Sequence, residues 1–315
     1  MMRRRRGFAL VASLWLLVAL AALGLELSLQ ARNRRLAAAN VVEGTQARAA
    51  ATAGVEEARA RLSRLLQFSS APALDPVTIM DPWRGLPAVM PETLSLGSAR
   101  AHVTLTDANA SLNLNRASEA ELRRLFVTLR IDAGDADRIA QAIADWRDAD
   151  DLARPRGAER ELYRREGLDA EPANAAFRRV DELRAVRGVT DEYYARMRPF
   201  LTVAGTGMVN LNAAPGPVLL ALDGMTEEAT WALRRAADAG RPIRSLQELQ
   251  LALTAGARAA MQESLPALQS RAAFETREVE VTSDAWMDGT PVRARTTGLA
   301  VRAGRSAFLV GRRSE

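Results

Sequence analysis

From Phe8 to Leu25 the chain runs eighteen residues without a charge, preceded by Arg3–Arg6 and ended by Glu26. As a helix this stretch is ~27 Å long, close to the ~30 Å of a bilayer's hydrocarbon core. Arginines ahead of such a run hold that end in the cytoplasm and send the following chain across the membrane. An ordinary signal peptide has a shorter apolar core of ~7–15 residues and a small-x-small cleavage site. AALGLEL is a poor version of that site. The helical pattern does not stop at Glu26: to Leu66 there is no proline, and Leu36, Val42, Val55, Leu62, Leu65 and Leu66 recur at three- and four-residue spacing. Gly44 and Gly54 interrupt it weakly. Two readings follow, an anchor joined to a separate amphipathic helix, or one rod half inside the membrane.

Charge narrows the function. All 43 basic residues are arginine, against 38 acidic ones, and the pI is 10.6. Removing Arg3–Arg6 leaves 39 against 38, so the remainder has no global attraction for phosphate. With no cysteine there is no disulfide, thiol nucleophile or Cys-type zinc site. The single histidine, His102, falls on an alternating stretch and reads as a strand residue. No Walker loop, G-x-S-x-G, H-E-x-x-H or G-x-G-x-x-G occurs, and a non-enzyme is expected.

Residues 70–98 are rich in proline and glycine and read as loop, with Trp83 and Ile79 as its ordering side chains. Alternation predicts strands at 99–107, 276–285, 291–302 and 304–313, with D-G and A-G turns among the last three. Between them lies helical text containing an echo: Asn113-Leu114-Asn115-Arg116-Ala117 and Asn210-Leu211-Asn212-Ala213-Ala214. Ser118 with Glu121 makes a capping box after the first copy, and Pro215 suits the first helical turn after the second. The echo predicts an internal duplication. DELRAVRGVTDEYYARM reads as helix, turn at Gly188, helix; such hairpins can bind DNA backbone, but Asp191 and Glu192 directly follow. Between the echoes, Asp145, Asp148, Asp150 and Asp151 crowd together, with Glu159 beyond a Pro/Gly loop. Such density costs like-charge repulsion. Two readings stay open: a solvated helix end neutralised by Arg147, Arg154, Arg156 and Arg160, or hard oxygen ligands for calcium. The spacing is not that of an EF-hand.

A basic leader, then Gly7-Phe8, then an apolar helix running into an amphipathic one resembles the class III signal of type IV pilins and type II secretion pseudopilins. The resemblance implies cleavage between Gly7 and Phe8 by a prepilin peptidase and methylation of the new amino terminus. Most members carry glutamate at the fifth mature position, which here is Ala12. A buried carboxylate needs a partner, and a subunit at a filament tip has no amino terminus above it to supply one. The missing glutamate, with D-W-x-D-x-D at 145–150, G-A-E at 157–159 and Tyr163 between two N-L-N motifs, resembles the protein K family of minor pseudopilins.

That resemblance implies an α+β fold: a long N-terminal helix on an antiparallel sheet, with a large all-α domain inserted into the sheet. The expected divisions are leader 1–7, helix 8–66, first sheet segment 67–107, helical insertion 108–270 and closing strands 271–315. It implies structural calcium, with Asp148, Asp150 and Glu159 as ligands and Asp145 and Asp151 as further candidates, while Tyr163 packs. The implied location is the inner membrane, single-pass, with the bulk in the periplasm. The implied partners are I-, J- and H-type minor pseudopilins, the major pseudopilin, prepilin peptidase and membrane lipid, with no nucleic acid. The implied role is initiating or capping the filament that exports folded proteins. The rivals are a membrane-tethered helix-hairpin-helix DNA-binding protein of competence type and a plain single-pass anchored protein.

Overall fold

The computed structural model describes residues 5–68, 81–84, 86, 90 and 93–314, with side chains from residue 11 onward except that of Phe68. Helix α1 runs unbroken from Arg5 to Phe68, so the single-rod reading holds. Its side chains are exposed from Val11 through Val42; from Ala47 onward one face is buried by Ala47, Ala50, Ala51, Val55, Ala58, Leu62 and Leu66. These three- and four-residue steps are the stripe an α-helix turns toward a core. Gly54 lies on that stripe. A Cβ there would stand 2.3 Å from Ser283 Oγ and 3.0 Å from Val103 Cγ2, so the glycine is where rod and sheet come closest.

The stripe rests on a five-stranded antiparallel sheet ordered β1-β2-β7-β8-β9. β1 is Leu94–Leu96, β2 Ala99–Asp107, β7 Glu278–Met287, β8 Arg293–Ala303 and β9 Ser306–Ser314. β2 and β7 pair along their length, from Ala99↔Met287 to Asp107↔Val279. The period of two therefore sends Val103, Leu105, Val279 and Val281 inward against Val55, Ala58, Leu62 and Leu66. Burying each larger aliphatic is worth about 1.5–3 kcal/mol. Trp83 fills the end of this core and donates its Nε1–H to Leu62 O at 3.1 Å. Gly289 and Gly304 take positive φ in the expected D-G and A-G turns. His102 is exposed on β2, facing away from the helix. One correction concerns the 70–98 loop, which contains β1; three residues are too few to show a period. Ile79 lies outside the described residues. The α+β class, with the helices placed between β2 and β7, is as the sequence implied.

The helical block contains two modules, each opened by an N-L-N and closed by a parallel two-residue bridge. β3 (Leu112–Asn113) pairs with β4 (Leu201–Thr202), and β5 (Val209–Asn210) with β6 (Ala272–Ala273). In both copies the first asparagine's carbonyl accepts from the alanine four residues on, at 2.8 Å. In both, the second asparagine's side chain grips a distant backbone: Asn115 exchanges two hydrogen bonds with Phe177 (2.9 and 2.8 Å), and Asn212 two with Ile243 (2.8 and 3.1 Å). The Ser118–Glu121 capping box is formed. The first limb of the Gly188 hairpin is a 3-10 turn, Val180–Ala185, rather than an α-helix. The stretch 244–268 forms short helices at Leu246–Leu251, Ala255–Glu263 and Leu265–Arg271.

Candidate functional site

The acidic segment begins in the last turn of helix Ala133–Arg147, where the apolar face carrying Ile139 and Ile143 leaves Asp145 pointing inward. Asp145 is fully buried. Its Oδ1 accepts from the Arg154 guanidinium at 2.6 Å and its Oδ2 from Ala158 N at 2.7 Å. The return loop approaches so closely that a Cβ on Gly157 would stand 1.9 Å from Asp145 Oδ2. Arg154 also donates to Asp148 Oδ2 at 2.6 Å and to Glu119 Oε1 at 2.5 Å. These hydrogen bonds, that to Asp148 first, hold its guanidinium firmly protonated. One arginine thus crosses three carboxylates.

Glu159 has no such partner. It stands at the N-cap of helix Arg160–Glu166 without making a capping bond, is 4% exposed, and neither carboxylate oxygen has a hydrogen-bond partner among the described residues. Burial, then the charges of Asp145, Asp148, Asp151 and Asp150, raise its pKa to about 7. Asp148 Oδ1 and Asn174 Oδ1 are likewise buried without partners. Asn174, at positive φ, donates to Asp150 O (3.1 Å) and Asp151 Oδ1 (2.9 Å). Asp150 and Asp151 are exposed, and Asp150 Oδ1 accepts from Leu152 N. An aromatic wall backs the site: Trp146 stacks on Phe177 at 5.8 Å, and Tyr163 is buried with its hydroxyl accepting from Arg187 N.

The structure therefore draws Asp145, Asp148 and Glu159 inward and leaves Asp150 and Asp151 on the rim. Asn174 and the bridging role of Arg154 are the residues that sequence reasoning missed. Asn174 lies well along the chain from the aspartates, and its only local signal is an A-N-A step. Among the described residues no group of three or more acidic, histidine or cysteine side chains is already spaced for a metal. The donor set nevertheless fits a hard cation, because the orphaned buried atoms at this site are the oxygens of Asp148, Glu159 and Asn174, with Trp146 Nε1 behind them at the wall.

The other candidate residues lie on α1. Gly7 and Phe8 fall in its first turns, and their side chains lie outside those described. Ala12 is exposed. The most apolar 18-residue window of this helix has a mean hydropathy of 2.0, and none of it is buried. At the Gly188 hairpin, Arg184 pairs with Asp191, Arg187 with Glu166 and Arg196 with Glu192, so its cations are already engaged by carboxylates of the chain.

Residues 101–206 match the family model of type II secretion system protein K. The chain is similar to a putative type II secretion system protein K of Escherichia coli K12, 35% identical over 28% of this chain and 27% of that protein. It is also similar to type II secretion system protein K of Pseudomonas aeruginosa, 30% identical over 38% of this chain and 39% of that protein. The matched stretches thus span well under half the length of these relatives. In fold, a chain of the GspK-GspI-GspJ complex of the type 2 secretion system from enterotoxigenic E. coli aligns with a TM-score of 0.66 at 16% identity, over 91% of this chain and 99% of that one. The resemblance to the protein K family read from the sequence is the one these comparisons return.

Proposed function

We propose that this chain acts as a protein K-type minor pseudopilin of a type II secretion system, anchored in the inner membrane by the first part of α1 with its bulk on the far side. The observation that carries the proposal is α1 itself. One continuous helix buries its distal half on the sheet and leaves Val11–Leu25 uncharged and exposed on every side. Such a surface needs lipid or neighbouring apolar helices, and a pseudopilin uses each in turn. The match of residues 101–206 to the protein K family model, with the similarity of the chain to protein K relatives, supports the K type. By analogy with the GspK-GspI-GspJ complex, its partners would be I- and J-type minor pseudopilins. Ala12 in place of the usual glutamate suits a tip position, from which the chain would initiate or cap the filament.

The test is co-expression with a prepilin peptidase and mass spectrometry of the amino terminus. A chain beginning at methylated Phe8 is expected; one still beginning at Met1 overturns the pseudopilin reading.

The acidic loop is proposed as a structural calcium site, with Asp148 and Glu159 as the inner ligands and Asp150, Asp151 and Asp145 as further ones. Calcium would neutralise the cluster and ionise Glu159; no chemical step follows from it. Chelation is expected to lower the melting midpoint, and an unchanged midpoint removes calcium from the account.

A further inference from the structure

Just beyond the apolar run, α1 carries Arg32, Arg34 and Arg35, all exposed. Among the described residues none of the three belongs to an ion pair. The nearest acidic residues on the helix are Glu26, which accepts from Gln30 Nε2 at 3.4 Å, and the distant Glu43. Three like charges within one turn repel one another unless something from outside α1 neutralises them.

Position along the rod indicates what that is. At ~1.5 Å per residue, Arg32 lies ~36 Å from Phe8, past a ~30 Å hydrocarbon layer and level with lipid headgroups. Position around the rod points the same way. At ~100° per residue, Arg34 and Arg35 stand ~200° and ~300° from Arg32. A partner helix would face one stripe of i, i+3, i+4 positions, and Arg34 is turned away from the stripe shared by Arg32 and Arg35. Charges spread around the circumference suit a surrounding layer of anions. Guanidinium groups bind phosphate oxygens in a bidentate fork.

We propose that Arg32, Arg34 and Arg35 form a collar on α1 that binds the phosphates of anionic lipids at the membrane face opposite the arginine leader. The inference rests on reading Phe8–Leu25 as a membrane span. The collar fixes the depth of the helix, and the chain must release it when α1 leaves the bilayer for a filament.

The test uses the full chain reconstituted in phosphatidylcholine vesicles with and without phosphatidylglycerol, followed by mild extraction and counting of retained lipid by mass spectrometry. Wild type is expected to retain phosphatidylglycerol above its bulk proportion, and R32Q/R34Q/R35Q to lose about threefold or more of that enrichment. R3Q/R4Q/R5Q/R6Q controls for the leader and is expected to keep the collar's share. Equal enrichment in wild type and the collar variant overturns the proposal while the span stands. Failure of every chain to insert into either vesicle overturns the span reading itself.

Discussion

Asp81 and Asp107 illustrate how burial sets the chemistry of a single side chain. Asp81 is 5% exposed and accepts from Thr276 N at 3.1 Å; Thr276 Oγ1 lies 3.3 Å from Asp81 Oδ2 and 2.9 Å from Asp107 Oδ2. Asn210 also donates to Asp107. One hydroxyl proton cannot serve two carboxylates at once. Burial, aided by Asp107, raises the Asp81 pKa from 3.8 to about 6, and burial raises that of Asp107 as well. A carboxyl whose folded pKa lies above its unfolded value stabilises the fold below the unfolded pKa and loses that contribution as pH rises through the folded one. A shift of this size is worth up to about 3 kcal/mol. Urea denaturation in detergent between about pH 4 and 7 is expected to show wild type losing stability relative to D81N; parallel curves would assign the titration elsewhere. Arg154 is the opposite case, a charge whose removal strands others. R154M is expected to cost about 2–3 kcal/mol, since Asp145 stays buried with two backbone donors but no counter-charge. None of this was legible at residue scale: sequence counted Arg154 among four arginine neighbours, and only the folded loop shows which one crosses the carboxylates.

At the scale of elements, alternation located β2, β7 and β8 because each has one buried and one more open face, and β9 because Ala307 and Leu309 turn inward between the exposed Phe308 and Val310. β1 escaped for want of length, and the Val180–Ala185 turn passed for an α-helix because one 3-10 turn has the same apolar spacing. Gly54 is the instructive position. On propensity alone, Gly→Ala inside a helix gains about 1 kcal/mol. Here the added methyl meets Ser283 and Val103, and cores resist overpacking by about 1–3 kcal/mol. G54A is therefore expected to destabilise the helix–sheet unit, and G54A/S283G to recover most of the loss by opening the facing site. S283A alone should be close to neutral, because Ser283 Oγ is buried without a partner. A stabilised G54A single variant, read by thermal melting, would mean that rod and sheet are not in contact there.

At the scale of the whole molecule, the duplication was legible because its anchor is a short invariant geometry: an asparagine that turns the chain and a second that grips a backbone segment far along it. The partners of that grip, Phe177 and Ile243, were not legible, since backbone groups leave no trace in side-chain pattern. The two modules then share one continuous apolar core, from Leu112 through Leu268, which is separate from the cores between α1 and the sheet. Polar links tie the modules further: Arg271 to Glu121 at 3.0 Å, and Arg124 to Ala221 O at 2.7 Å and Asp223 at 2.8 Å. A shared core and shared ion pairs make the helical block one cooperative unit, joined to the sheet mainly by buried polar contacts such as Asn109–Glu278. N212A removes the hold on Ile243 and Phe274 and is expected to cost about 2–3 kcal/mol. Because the unit opens together, amide exchange should quicken as much around Asn115 and Phe177 in the first module as around Asn212 in the second. The amides of β2 and β7 should change little. Quickening confined to residues 209–273 would show two independently opening modules, and equal quickening in β2 and β7 would show that helical block and sheet unfold as one body.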